Sequence, residues 1–142
     1  TPEGKLTAPA FAGWQQAADF VLVEADGSKR LPAKAHETWE PVLPPERTRT
    51  VCVLGASAFG QPIRQAAHRP AIYARLAGAP WSASITPEMA ARVLNAEALH
   101  TRVLLNQADA PGGIEAAKQL IKLLNCPVIT ASLQKGEIIC SF

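Results

Sequence analysis

Continuous apolar runs, rather than alternating ones, mark the predicted strands of this 142-residue chain. Such runs are typical of parallel sheets covered by helices, because both faces of each strand are then buried. The predicted strands are residues 20–23, 51–54, 103–105, 128–129 and 138–140. The pattern predicts an α/β fold with a mostly parallel sheet and flanking helices.

Apolar residues at helical spacing lie between the later runs. Residues 86–88, Thr-Pro-Glu, supply an N-cap, a proline at the first helical position and an early acidic residue, so they predict a helix start. Residues 113–124 place apolar side chains on one face of a second helix. A third helix is predicted from the proline at 70 to the glycine at 78. Residues 26–50 contain four prolines and show no period, which predicts an ordered but irregular segment.

Composition limits the class of protein. A chain of 142 residues that is 48% hydrophobic favours a single domain, residues 1–142, with a substantial core. Its net charge of +2, carried by scattered basic residues, argues against nucleic acid as a partner. No apolar run approaches the roughly 18 residues that cross a bilayer. With no membrane span or signal peptide in view, and an odd number of cysteines that indicates free thiols, we expect a cytoplasmic protein.

The first candidate motif is "FVLVEADG", residues 20–27. Glu24 and Asp26 follow the apolar run two residues apart, so they point the same way if the strand geometry persists. In P-loop NTPases, a carboxylate at this end of a strand holds Mg²⁺, and Gly27 permits a turn that brings an amide near a phosphate. The alternative is an ordinary strand end with solvated acidic side chains.

The second motif is "VLLNQAD", residues 103–109, another apolar strand with polar residues after it. GTPases place N-K-x-D at this location, where the aspartate binds the guanine edge and the asparagine braces the loops around the base. Asn106 and Asp109 fit that pattern, but Gln107 replaces the lysine, which leaves a preference for guanine open. The alternative is a polar turn before the next helix.

Basic residues follow the first motif closely. The stretch "SKRLPAKAH" contains Ser28, Lys29, Arg30, Lys34 and His36, and its cations suit phosphates or another anion. A solvated loop is the alternative interpretation.

His68 and Arg69 precede a predicted helix. His68 is a candidate general acid or base, although a capping role for this segment explains the pattern as well. His36, His68 and His100 lack the spacing of metal ligands, which argues against a metal site made by histidines.

Together, the first two motifs indicate nucleotide binding, because both follow apolar strands in the expected order. The phosphate loop that should precede them, G-x-x-x-x-G-K-[ST], is absent. "EGKLT" at residues 3–7 supplies Gly-Lys but lacks the preceding strand and glycine-rich turn.

Several longer segments then identify a resemblance to a known family. "VLVEADGSKRLPAKAH", "EPVLPPE", "HRPAIYARL", "ITPEMAARVL" and "LLNQAD" occur in this order and at fitting spacings. Together they resemble the selenium-dependent hydroxylase accessory proteins of the YqeC family, well over residues 4–110 and more loosely to the C-terminus. That family is similar to P-loop NTPases and usually begins with a G-G-K-T phosphate loop. The resemblance implies that this chain is the portion after that loop, with the N-terminal elements of the fold missing.

The resemblance also implies roles for individual residues around a bound nucleotide. It assigns Glu24 and Asp26 to Mg²⁺ and the attacking water, Ser28 and Lys29 to the γ-phosphate, and Asn106 and Asp109 to the base. The implied cofactor is Mg²⁺ with GTP or ATP, bound only when the missing N-terminal part is present. Whether the intact protein hydrolyses the nucleotide stays open, and we expect this chain alone to be inactive.

The implied function is maturation of selenium-dependent molybdenum hydroxylases. One alternative is a non-catalytic docking module for a hydroxylase or a selenium-donor protein. A second alternative is an enzyme that acts on a sulfur- or selenium-containing small molecule through the basic loop and His68. The expected partners are a molybdenum hydroxylase or selenium donor and the chain's own N-terminal segment. A homodimer is also expected, because a truncated sheet exposes an unpaired edge.

Overall fold

The computed structural model describes residues 13, 16 and 18–141, with the backbone alone at residue 141. It is an α/β structure with two sheets. In chain order its strands are β1 (Ala33–Lys34), β2 (Val51–Gly55), β3 (Ala67–His68), β4 (Arg102–Asn106), β5 (Val128–Ser132) and β6 (Glu137–Ser141). Its helices are α1 (Ile63–Ala66), α2 (Pro70–Ala77), α3 (Pro87–Glu97) and α4 (Gly113–Leu123), and a 3₁₀ turn spans Ala56–Ala58.

The main sheet has the strand order β2-β4-β5-β6. β2, β4 and β5 are parallel, with Val53 opposite Leu104 and Leu104 opposite Ile129. β6 pairs antiparallel with β5 and closes one side of the sheet. β1 and β3 form a separate two-stranded parallel sheet. The predicted mostly parallel α/β architecture is therefore confirmed, including four of the five predicted strands.

The three predicted helices are present at the expected places. Thr86 caps α3, because its hydroxyl accepts a hydrogen bond from the backbone N–H of Met89 over 3.3 Å. α2 begins at Pro70 and is ended by Gly78, which adopts the left-handed conformation at φ 67°. α4 buries Ala117 and Leu120. Residues 26–50 are irregular apart from β1, as predicted.

The core lies between the helices and the middle of the sheet. Val103 and Leu105 of β4 are fully buried, as are Val128 of β5 and Leu120 of α4. Tyr73 of α2 is the largest fully buried side chain. β4 and β5 are thus better covered than β2, whose first three residues are not buried.

The predicted strand at residues 20–23 is wrong. This segment has no strand assignment, and Phe20 and Leu22 are 88% and 96% exposed. A continuous apolar run predicts burial, but a strand also needs a neighbour to receive its backbone hydrogen bonds. In the described part of the chain, neither sheet supplies that neighbour.

β2 is the open edge of the main sheet. Val51 and Val53, on the same face of the strand, are 48% and 58% exposed. The expected unpaired edge is therefore present among the described strands, whereas the homodimer stays a prediction. No helix in the described residues is long and apolar enough to cross a membrane.

Candidate functional site

Polar loops meet where the parallel strands end, the place where ligands bind in such sheets. Ser57 follows β2, and its hydroxyl donates a 2.6 Å hydrogen bond to the side-chain oxygen of Gln107, which follows β4. Gly55 is packed beneath them. A β-carbon at Gly55 would lie 2.6 Å from the Gln107 side-chain oxygen and 2.8 Å from Cβ of Pro32, so only glycine fits here.

Asn106 connects two of the loops at this edge. Its side-chain oxygen accepts hydrogen bonds from the backbone N–H of Gln107, at 2.8 Å, and from that of Leu133, at 2.9 Å. One amide group therefore joins the loop after β4 to the hairpin after β5. Whether these loops surround a base, as the resemblance implies, stays a prediction.

Asp109 lies on the same rim and forms an ion pair with Lys135 of the β5–β6 hairpin, at 2.9 Å. Hydrogen bonds from Lys135 and then from Ser132 lower the pKa of Asp109 below its ordinary value. Both side chains are well exposed, so the pair is accessible from solvent. The Asp109 carboxylate has two oxygens, so it could accept two hydrogen bonds from a planar heterocycle in place of its ion pair with Lys135.

Backbone strain concentrates near this edge. Lys29, Arg30 and Gln107 have φ angles of 52°, 62° and 59°, a region that residues with a β-carbon seldom occupy. Lys29 and Arg30 lie in the turn before Pro32, whose carbonyl accepts a 2.8 Å hydrogen bond from the Gly55 N–H. Each such residue costs about 1–3 kcal/mol, and such costs cluster at functional sites.

Asp26, Lys34 and His36 belong to a second group, which we term the Lys34 network. Its members are Asp26, Lys34, His36, Glu37, Glu40, Arg69 and Glu97. The ammonium group of Lys34 lies 2.5 Å from Asp26 Oδ2 and 3.2 Å from Glu40 Oε2, and it donates a 2.9 Å hydrogen bond to the Gly27 carbonyl. Only 8% of the Lys34 side chain is exposed.

His36 bridges two carboxylates within the network. Its Nε2 lies 2.9 Å from Asp26 Oδ2, and its Nδ1 lies 2.8 Å from Glu97 Oε2. Burial lowers the pKa of His36, but the hydrogen bond and charge of Glu97 and the charge of Asp26 outweigh burial, so the pKa is raised overall. A doubly protonated imidazole suits this position, because both ring nitrogens then donate.

Arg69 closes the network at its other end. Its Nη2 and Nε atoms lie 2.8 and 3.0 Å from the two carboxylate oxygens of Glu40, and its guanidinium lies over the ring of Trp39. The hydrogen bond from Arg69 is the main reason that the pKa of Glu40 falls to about 2. Arg69 itself has φ 59°, at the residue before α2. Through Glu40 and Arg69, the network therefore connects the irregular segment at residues 26–50 to the first residue of α2, Pro70.

His68 sits beside this network without joining it. Its Nδ1 atom is buried and has no hydrogen-bond partner among the described residues. Burial, and then the charges of Lys34, Arg69 and Lys29, lower its pKa. A neutral imidazole surrounded by cations is the form that can act as a base.

The structure separates the predicted site residues into two places. Asp26 is connected through His36 to Glu97, the last residue of α3, which leads directly into the start of β4. Burial and the nearby charges of Glu97 and Asp26 raise the pKa of Cys52, near the start of β2, to about 12. Asp26 therefore lies toward the edge where the strands begin, whereas Asn106 and Asp109 follow the end of β4.

The other predicted residues also differ from one another in their surroundings. Glu24 is exposed in an extended segment, so the expected strand end that would orient it is absent. Ser28 accepts a hydrogen bond from the Leu31 N–H through its backbone carbonyl, and Lys29 is exposed in the same turn. This turn leads to Pro32 and thus to the rim at Gly55.

The contacts of Asp26 bear on its predicted role toward Mg²⁺. Asp26 Oδ2 is already in contact with the Lys34 ammonium and the His36 ring, two groups that a metal ion would have to displace. Within the described residues, no cluster of three or more His, Cys, Asp or Glu side chains is arranged to hold a metal ion. The assignment of Glu24 and Asp26 to Mg²⁺ therefore stays a prediction, one that requires Asp26 to exchange these partners for the metal ion.

Sequence reasoning missed two partners at the rim. Ser57 and Gln107 are 50 residues apart and Asp109 and Lys135 are 26 apart, so no local pattern connects them. One signal was available in the sequence. Polar residues follow the apolar run at 128–129, as they follow the apolar runs of the other parallel strands.

The first half of the chain, residues 1–71, matches the sequence model of a family described as YqeC protein. No curated protein and no solved structure matches the chain. The matched half includes the acidic motif, the basic turn and all of the Lys34 network except Glu97.

Proposed function

Because this chain belongs to the YqeC family, we propose that it is a nucleotide-binding part of an accessory factor for selenium-dependent molybdenum hydroxylases. In the intact protein, nucleotide binding would gate delivery of selenium, or of a modified molybdenum cofactor, to the hydroxylase. The proposal combines membership of the family with one structural observation, the meeting of two polar loops at the end of β4 and β5.

That observation concerns Asn106 and Asp109. Asn106 joins the two loops through both of its accepted hydrogen bonds, which gives the rim a defined shape. Asp109 lies at the same rim, where its partners in the described chain include Ser132 and the exposed Lys135. A guanine base would replace Lys135 as the donor to Asp109, since its N1–H and amino group are two adjacent donors, whereas adenine would donate through its amino group alone.

The phosphates would extend toward the strained turn of Lys29 and Arg30. Cations and backbone amides in unusual conformations are suited to phosphate oxygens. Hydrolysis would further need a phosphate loop, whose amides and lysine carry most of the phosphate-binding energy. We therefore expect this chain alone to show no nucleotide turnover.

The test uses a protein extended upstream through a phosphate-loop segment, titrated with Mg·GTP and Mg·ATP in a calorimeter. We expect binding of at least one nucleotide, and a loss of about 10- to 100-fold in affinity for Asp109→Asn, since a hydrogen bond to a charged group is removed. Glu115→Gln is the matched control, because Glu115 also pairs with an exposed lysine, Lys118, but on α4.

Two results would contradict the proposal. One is the absence of binding for both nucleotides by the extended protein. The other is an equal effect of Asp109→Asn and Glu115→Gln, which would mean that only net charge matters.

The docking-module alternative has its own supporting observation. Several large apolar side chains are exposed in the first half of the chain, including Phe20, Leu22, Trp39 and Val42 at 66% or more. Exposed apolar surface is a feature of protein interaction sites. A docking module would bind a hydroxylase or a selenium donor with unchanged affinity in the Asp109→Asn variant, whereas Leu22→Glu would weaken that binding.

A further inference from the structure

A cavity of about 330 Å³ opens at the other edge of the sheet, where the parallel strands begin. It is lined by Pro45, residues 47–50 before β2 and residues 98–101 before β4. A second cavity of about 180 Å³ shares Ala98 and His100 with it. None of these residues belongs to the rim at Asn106 and Asp109 or to the Lys34 network.

Hydrogen bonds connect the two loops that line this cavity. The Thr101 hydroxyl accepts a hydrogen bond from the Thr50 N–H and donates one to the Thr50 carbonyl, both at 3.1 Å. The Thr101 N–H also donates to that carbonyl, at 2.9 Å. The two loops that line the cavity are therefore joined before any ligand arrives, which reduces the entropy lost on binding.

The cavity is lined by cations without acids. Arg47 donates to the Thr50 hydroxyl at 3.3 Å and to the Pro44 carbonyl at 3.2 Å, which occupies two of the five N–H donors of its guanidinium. Arg49 makes no ion pair with any described residue. His100 is a third nitrogen donor, and burial lowers its pKa. Two acids flank the lining residues in sequence: Glu97, whose two carboxylate oxygens are both bound to His36, and Glu46, which is not itself a lining residue.

We propose that this cavity is a second ligand site, which binds a small molecule through a phosphate or carboxylate group held by Arg47 and Arg49. Arginine forks match the oxygens of both groups. A volume of about 330 Å³ lies at the lower limit for small-molecule sites, which favours a small ligand. Ala98 lines both cavities, and its φ angle of 50° turns the chain between α3 and β4. The site does not depend on the proposed nucleotide function.

The test uses the whole 142-residue chain at low salt, titrated separately with inorganic pyrophosphate and with citrate. Amide chemical shifts map the site, and calorimetry gives the affinity. We expect shifts at Arg49, Thr50, His100 and Thr101, with an increase in the pKa of the His100 ring when the anion is bound. Binding of one anion alone would assign the group as phosphate or carboxylate, and binding of both would assign a general oxyanion site.

Two variants separate this site from general attraction to a basic protein. Arg49→Gln should weaken binding about 10-fold or more, because a charge-assisted bond is removed. Arg75→Gln, an exposed arginine on α2, carries the same change in charge and should leave the affinity unchanged. Equal weakening by both variants would overturn the proposal. So would shifts confined to Asn106–Asp109, or no shifts with either anion at millimolar concentrations.

Discussion

The Lys34 network and the rim at Asn106 and Asp109 both hold carboxylates that the sequence assigns to a nucleotide. In the network, Asp26 contacts a lysine that is 8% exposed and a histidine that is 14% exposed. At the rim, Asp109 contacts Lys135, which is 56% exposed. The same residue type is therefore held tightly in one place and loosely in the other.

This difference indicates which aspartate is available to a ligand. Removing one partner from a buried charge pair leaves the other charge without compensation in a medium of low polarity. Exposed pairs are weak because water and salt screen them and compete for both partners. We therefore expect Asp26 to stabilise the fold and Asp109 to exchange its lysine for a ligand more readily.

The largest predicted effect is that of Lys34→Ala. It leaves Asp26 and Glu40 without their shared cation, so we expect a loss of about 3–5 kcal/mol in the free energy of unfolding. Urea denaturation followed by circular dichroism measures it. Lys118→Ala on the surface of α4 is the control and should change little. A loss for Lys34→Ala no larger than that for the control would remove the distinction between the two regions.

Gly55→Ala should have an intermediate effect, since it acts at the base of the rim. The added methyl group would meet Pro32 and Gln107 at less than the sum of their radii, so we expect a loss of about 1–3 kcal/mol. The Ser57–Gln107 hydrogen bond should also be displaced, visible as amide shifts at both residues. If neither the stability nor the amide shifts change, Pro32 and Gln107 can move to make room for a methyl group, and the close packing at Gly55 is not required.

A pH series sharpens the comparison further. The pKa of His36 is raised on folding, so its contribution is complete below its unfolded pKa near 6.5 and is lost as the pH rises through its higher folded pKa. The thermal midpoint of wild type relative to His36→Gln should therefore decrease from pH 6 toward alkaline pH. His100 has a lowered pKa, so its dependence should have the opposite sign. A pH-independent difference for His36→Gln would mean that its ring is not charged in the fold.

The smallest effect is predicted for Lys135→Ala. Because both partners of the Asp109–Lys135 pair are exposed, the denaturation midpoint should stay within experimental error of wild type. In the extended protein, the same variant should retain nucleotide binding, since Lys135 competes with the base for Asp109. A clear fall in stability would place Asp109 in the same class as Asp26.

Much of the fold was predictable because its signals are local. A cap at Thr86 and a stop at Gly78 act within one helical turn, and a buried strand such as β4 shows its burial in its own residues. The failure at residues 20–23 has a different cause. Strand formation depends on a partner that may lie anywhere in the chain, whereas an apolar run reports only a preference for burial.

The candidate site was predictable in part for the same reason. The position of Asn106 directly after a strand was visible in the sequence, and its side chain joins two loops there, whereas its role toward a base stays a prediction. The position of Asp26 could not be obtained in this way, because it depends on His36 and on Glu97, which is 61 residues further along than His36. The spacing of a motif shows only which residues are near in sequence. The irregular segment at residues 26–50 is held by ion pairs to residues far along the chain, such as Glu97.

The antiparallel direction of β6 has a consequence for how this molecule can vary. Because β6 returns directly beside β5, the chain crosses the rim in a short turn instead of leaving it through a crossover helix. Lys135 lies on that turn, between the end of β5 at Ser132 and the start of β6 at Glu137. Residues inserted between Leu133 and Gly136 would thus enlarge the rim without altering any strand register. Changes in the β5–β6 hairpin can therefore alter the selectivity of the rim for a ligand without changing the rest of the fold.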